Sequence, residues 1–199
     1  MTKIKICGLT RSEDIWAANR YKPDYIGFVF AKKSRRYLTE RQAVQLKRML
    51  SDEIQAVGVF VNETKETVAR LLCERTIDIA QLHGQETEQD IRWIREQTGR
   101  PVIKAVAVQS ILDMDRWQES SADYLLFDNG AGGTGCTFDW DLIAGCEKPF
   151  FLAGGIGPDN LADALTKGAY AIDLSSAAET NGYKDPRKIG ELIKMVRES

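Results

Sequence analysis

Eight short apolar runs, seven intervening stretches at helical spacing and a length of 199 residues predict a compact, parallel eight-stranded (β/α)8 barrel. A doubly wound open sheet is the alternative, but it uses fewer strands at this length. With 43% hydrophobic residues and five prolines the chain can bury one sizeable core, so residues 1–199 are expected to form a single domain.

The elements follow in order. Ile4 to Cys7 is a strand ending at Gly8, and Ser12 to Tyr21 is a helix with Glu13 and Asp14 in its first turn. Tyr25 to Phe30 is the second strand, and it leads to the basic loop Lys32, Lys33, Ser34, Arg35, Arg36. Thr39 to Leu50 is the next helix, opened by the capping-box spacing of Thr39 and Gln42. Strand three, Ala56 to Phe60, leads to Asn62 and to a helix over Lys65 to Glu74. Strand four, Ile77 to Leu82, delivers Gln81, His83 and Gly84, and a capping box at Thr87 and Asp90 opens a helix to Gln97, stopped by Gly99 and Pro101. Strand five, Val102 to Val108, contains Lys104 and precedes a weakly helical segment, Ser110 to Ser121. Strand six, Tyr124 to Asp128, runs into the glycines 130, 132, 133 and 135, with Thr134 among them, and then a helix over Phe138 to Ile143. Strand seven, Phe150 to Ala153, ends at Gly154 and Gly155 before a helix over Pro158 to Lys167. Strand eight, Ala171 to Leu174, carries Asp173 and ends at Ser175 and Ser176, and Pro186 to Arg197 is the last helix.

Composition narrows the function. A net charge of −2 provides no field for a polyanion, so nucleic acid is not expected as a partner. Four scattered cysteines without a C-x-x-C pair suggest neither a metal site nor a disulfide framework. The start MTKIKICG does not read as a signal peptide, no apolar run is long enough to cross a bilayer, and a reducing cytoplasm fits both.

In a barrel of this kind function collects where strands end and loops begin. Asp128 is a carboxylate at the end of a buried strand beside a glycine-rich loop whose backbone can approach a ligand closely. Cys7, at the end of strand one and near cations, is expected to have a lowered pKa and to act as a base; a structural thiol is the alternative. Arg36 is the member of its charge run best placed to grip a carboxylate, and His83 is expected in the site without a proton-transfer role. Gly154, Gly155, Ser175 and Ser176 follow strands seven and eight, where such barrels present backbone N–H groups to phosphate, so the expected partner is a phosphorylated small molecule. Lys104 invites a Schiff-base aldolase reading, although an electrostatic role at the barrel mouth is preferred; a non-catalytic phosphate-ligand binder is a further possibility.

KICGLT, GFVF, KSRRY, VGVFVNE, QLHG, LLFD, GGTGCTFDW, LAGGI and DLSS, in this order, resemble the motifs of the phosphoribosylanthranilate isomerase family of tryptophan biosynthesis. The resemblance implies an Amadori rearrangement of an aminoaldose to an aminoketose, without metal or cofactor, by a monomer or homodimer. It implies Asp128 as general acid, Cys7 as general base, Arg36 on the anthranilate carboxylate, Asp173 on the sugar hydroxyls, and Gly154, Gly155, Ser175 and Ser176 on the phosphate. Cys136, Gly157 and Ala177 depart from the family's usual lysine, asparagine and glycine; at Ala177 an ordinary negative φ is expected, because positive φ strains a residue with a Cβ.

Overall fold

The computed structural model describes residues 1–130 and 137–199, and eight parallel strands in it close into a barrel in chain order, the first pairing with the eighth. The strands are β1 (Lys3–Cys7), β2 (Tyr25–Val29), β3 (Gln55–Phe60), β4 (Ile79–Leu82), β5 (Val102–Ala107), β6 (Tyr124–Asp128), β7 (Phe150–Leu152) and β8 (Ala171–Leu174). Around them lie α1 (Ser12–Tyr21), α2 (Glu40–Lys47), α3 (Lys65–Cys73), α4 (Glu88–Thr98), α5 (Ile111–Gln118), α6 (Leu161–Thr166) and α7 (Pro186–Glu198). The predicted barrel is therefore the observed one.

Alternation along each strand separates two cores. Ile4, Ile6, Ile26 and Phe28 point outward and pack with the helices, while Tyr25, Val57, Ile79, Ile103, Leu126, Phe151 and Ala171 fill the barrel. Tyr25, Tyr124 and Tyr170 crowd around Phe151, and the Tyr25 and Tyr170 hydroxyls are 2.9 Å apart. These rings close the amino end of the barrel and leave the carboxyl end as the place for a ligand.

The departures from expectation have local causes. The capping boxes at Thr39 and Thr87 form, and Ser110 with Asp113 forms another that nucleates α5, which hydrophobic spacing alone left weak. The helix expected over Phe138 to Ile143 is a four-residue 3-10 helix, Trp140–Ile143. Strand β4 begins at Ile79 because the N–H groups of Thr76 and Ile77 turn back to cap α3 on the Leu71 carbonyl. An additional antiparallel hairpin, β9 (Glu179–Thr180) and β10 (Tyr183–Lys184), follows β8, turning through Asn181 and Gly182, both at positive φ. Gly132, Gly133, Thr134, Gly135 and Cys136 of the glycine-rich loop lie outside the described residues.

Candidate active site

A cavity of about 380 Å³ opens at the carboxyl end of the barrel, and Cys7, Arg36, His83, Asp128, Gly154, Gly155, Asp173, Ser175 and Ser176 all line it. Residues drawn from opposite ends of the sequence thus meet in one pocket because strand ends converge there.

Asp128 is buried at the end of β6. Its Oδ1 accepts the Gly130 N–H at 2.7 Å, and its Oδ2 lies 2.9 Å from His83 Nε2. Gln81 Nε2 is 2.9 Å from His83 Nδ1; an amide NH2 can only donate, so Nδ1 accepts and Nε2 carries the hydrogen given to Asp128. Burial pushes the Asp128 carboxyl upward, but the His83 hydrogen bond and the Gly130 N–H outweigh it and hold the group below its ordinary value. His83 is therefore in contact with the candidate acid, a closer placement than its sequence position indicated.

The β4 loop that presents His83 has its own support. Glu86 accepts the Asn62 and Gly84 N–H groups at 2.7 and 2.8 Å, and Lys104 Nζ reaches Glu86 at 3.2 Å and the Gly84 carbonyl at 2.7 Å. Lys104 consequently does not line the mouth cavity: Ile103 and Ala105 face the barrel, so the intervening Lys104 points outward, over the Trp117 ring. This position corrects the expectation of a mouth-lining lysine and removes the geometric basis for a Schiff base there.

On the other side of the mouth, Cys7 packs its sulfur so closely against Gly27 that a Cβ at Gly27 would lie 2.6 Å from Sγ. Burial pushes the Cys7 thiol up, Lys5 and Lys184 pull it down and Asp173 pushes it up; the net direction is upward. The expected lowering of the thiol pKa is thus overturned, because desolvation exceeds the help of the cations. Lys5 itself, absent from the sequence-derived site, is fully buried inside the barrel with Nζ 2.8 Å from Asp173 Oδ2. Its signal was present in KIKIC, since Lys5 and Cys7 are two apart and share a face.

Arg36 reaches the mouth edge, where its Nε and Nη2 donate to the two carboxylate oxygens of Glu179 at 2.6 and 3.1 Å. Arg35 and Lys184 converge on the same carboxylate, and Lys184 also donates to the Ser175 carbonyl at 2.9 Å. Burial acts to raise the Glu179 pKa, but Arg36 and Lys184 hold it below its ordinary value. Sequence reasoning missed Glu179 and Lys184, although the Asn181–Gly182 pair between short polar and aromatic residues is a hairpin signal. Gly8, at φ 86°, passes directly beneath Arg36; a Cβ there would lie 2.3 Å from the arginine Cδ.

Gly154 and Gly155 follow β7 at φ 84° and 65°, a backbone path that glycine adopts without strain. Ser176 opens a 3-10 helix, Ser176–Ala178, beside them in the same cavity lining. The Ser175 hydroxyl is committed to the Cys7 carbonyl at 3.1 Å, so what Ser175 offers a ligand is its backbone. Ala177 is not among the described non-glycine residues with positive φ, as expected for a residue with a Cβ.

Comparison with known proteins decides the family. The family model for N-(5'phosphoribosyl)anthranilate (PRA) isomerase matches residues 4–195. The chain belongs to the PRA isomerase family. An N-(5'-phosphoribosyl)anthranilate isomerase of Endomicrobium trichonymphae is 46% identical over 202 residues, covering 99% of each sequence. A solved PRA isomerase from Thermus thermophilus superposes with a TM-score of 0.91 at 32% identity, covering 99% of both chains. Another solved PRA isomerase, in complex with reduced 1-(o-carboxyphenylamino)-1-deoxyribulose 5-phosphate, gives a TM-score of 0.88 at 34% identity over the full length of both chains. No helix among the described residues is long and apolar enough to cross a membrane.

Proposed function

We propose that this enzyme converts N-(5-phosphoribosyl)anthranilate to 1-(2-carboxyphenylamino)-1-deoxyribulose 5-phosphate in tryptophan biosynthesis, with Asp128 as general acid and Cys7 as general base. The observation that carries this assignment is one mouth cavity in which a buried carboxylate and a partly buried thiol come from different strands, between an arginine and a glycine turn.

Each residue has a task in the chemistry. The phosphate sits on the backbone of Gly154, Gly155, Ser175 and Ser176, and Arg36 takes the anthranilate carboxylate with charge-assisted hydrogen bonds. Asp128, protonated, gives its proton to the furanose ring oxygen, the ring C–O bond breaks and the nitrogen lone pair forms an iminium. The Cys7 thiolate then removes the proton from C2′, and the C–H electrons neutralise the iminium to an enolamine that tautomerises to the ketone. Asp173, whose Oδ1 is buried and without a protein partner, accepts a sugar hydroxyl. His83 keeps Asp128 oriented through the 2.9 Å contact. A reducing cytoplasm suits a mechanism that needs a free thiol, and Cys7 is free.

The test is a fluorescence assay following consumption of the anthranilate substrate. Asp128→Asn and Cys7→Ser are each expected to lower kcat by about 10²- to 10⁴-fold with little change in KM, the usual size of acid–base effects. A variant retaining more than about a tenth of wild-type kcat would remove its residue from the assigned role.

A further inference from the structure

Inside the barrel, on the face of β1 that also carries Cys7, lies a charged group that the chemistry above leaves without a task. Lys5 has none of its surface exposed, and its position is set by two strands at once: it is the register partner of Asp173 in the β1–β8 pairing and shares the barrel-facing side of β1 with Cys7. A lysine ammonium inside a barrel is costly unless a carboxylate or another anion faces it. Asp173 supplies one oxygen to it at 2.8 Å and keeps the other, Oδ1, buried and unpartnered. A simple structural ion pair at this depth is replaceable by apolar side chains of similar volume. This pair instead joins the β1 face that carries Cys7 to Asp173, and Cys7 and Asp173 line the same mouth cavity.

We propose that Lys5 is a positioning residue: its ammonium group, fixed by Asp173, is the counter-ion of the Cys7 thiolate that removes the substrate proton. The inference rests on Cys7 acting as the base. The charged groups facing the sulfur are Lys5 from β1, Asp173 from β8 and Lys184 from β10, which is itself neutralised by Glu179. Lys5 is the leading cation among them and opposes the burial that keeps the thiol protonated. Reciprocally, Lys5 holds its own proton despite full burial, with Asp173 and Cys7 both favouring the ammonium form. The proton leaving the thiol goes to solvent through the open mouth, and Lys5 keeps its charge throughout.

Two variants move the thiol in opposite directions, which a merely structural lysine would not produce. Cys7 alkylation by iodoacetamide is followed against pH by peptide mass spectrometry, with exposed Cys73 as internal reference. Lys5→Met is expected to move the Cys7 profile to higher pH by at least about one unit, so that alkylation near neutrality slows at least about tenfold relative to Cys73. Asp173→Asn, which removes the anion facing the sulfur while its amide oxygen can still accept from Lys5, is expected to move the profile to lower pH. A folded Lys5→Met protein with an unmoved profile would overturn the proposal. If that variant does not fold, Asp173→Asn decides, and an unmoved or upward-shifted profile overturns it. The base assignment fails separately, through retained activity of Cys7→Ser, an outcome that leaves the alkylation result standing.

Discussion

On the β4–β6 side of the mouth a buried carboxyl is held below its ordinary pKa by His83 and a backbone N–H, whereas on the β1–β8 side a partly buried thiol is pushed above its ordinary pKa although two lysines lie near it. The difference is one of hydrogen bonding against desolvation. Asp128 receives two donors at 2.7 and 2.9 Å, enough to exceed the cost of burial. Cys7 has cations nearby, but they are shared: Lys5 with Asp173, and Lys184 with Glu179. The resting site therefore holds the right number of protons on the wrong groups. The form that the proposed mechanism requires, with Asp128 protonated and Cys7 ionised, is the minor one, and each unit of separation between the two pKa values reduces it tenfold.

The largest expected effect follows from that inversion. On the proposed roles, with the acid's pKa lowered and the base's raised, kcat/KM is expected to be flat through neutral pH, falling at low pH near the depressed Asp128 value and at high pH near the raised Cys7 value. His83→Gln removes the ring that keeps Asp128 ionised. The low-pH limb should then move upward by about a unit or more, given the size of shifts caused by close partners, while the high-pH limb stays in place. Lys5→Met should do the reverse, lowering the plateau and moving only the alkaline limb upward. A profile narrowed from both sides by either single change would show that the two halves of the mouth titrate as one unit and break the comparison.

How much of this was legible in the sequence divides along the same line. The acid side was readable because its parts are local: Gln81 and His83 lie in one strand end, and Asp128 closes an apolar run of one sign. The base side depends on contacts between distant segments. Lys5 meets Asp173 across 168 positions, and Arg36 meets Glu179 across 143. Strand alternation placed Lys5 on the face of Cys7 but named no partner, and nothing in the hydrophobic pattern announced a two-residue strand such as β9. The lowered thiol pKa was misjudged for the same reason, since proximity to cations is visible in a motif and the depth of burial is not.

A second, smaller effect concerns the cation at the rim. Arg36→Met is expected to raise KM about 10- to 150-fold with little change in kcat, the equivalent of roughly 1.5–3 kcal/mol for a charged hydrogen bond to the substrate carboxylate. Gly8→Ala should reproduce part of that rise without touching the guanidinium, because its Cβ would occupy the space of Arg36 Cδ. Steady-state kinetics check both, and an unchanged KM in Arg36→Met would mean that another group holds the aromatic ring.

The smallest effect separates the proposed phosphate turn from both sides of the mouth. Ala177 lies in the 3-10 helix Ser176–Ala178, where its φ is not in the positive region and its methyl group packs against the outer core. A backbone that already suits alanine gains nothing from glycine: the substitution leaves the folded contacts of the peptide groups intact and adds freedom to the chain before folding and binding. Ala177→Gly should therefore cost about 0.4–1 kcal/mol in stability, read as a lower thermal midpoint, and leave inorganic phosphate inhibition unchanged or slightly weaker. Since the Ala177 side chain packs against the outer core, both limbs of the pH profile should remain where they are. A roughly tenfold tighter phosphate inhibition, about 1.4 kcal/mol, would instead mean that bound phosphate draws this turn into a conformation that a Cβ resists.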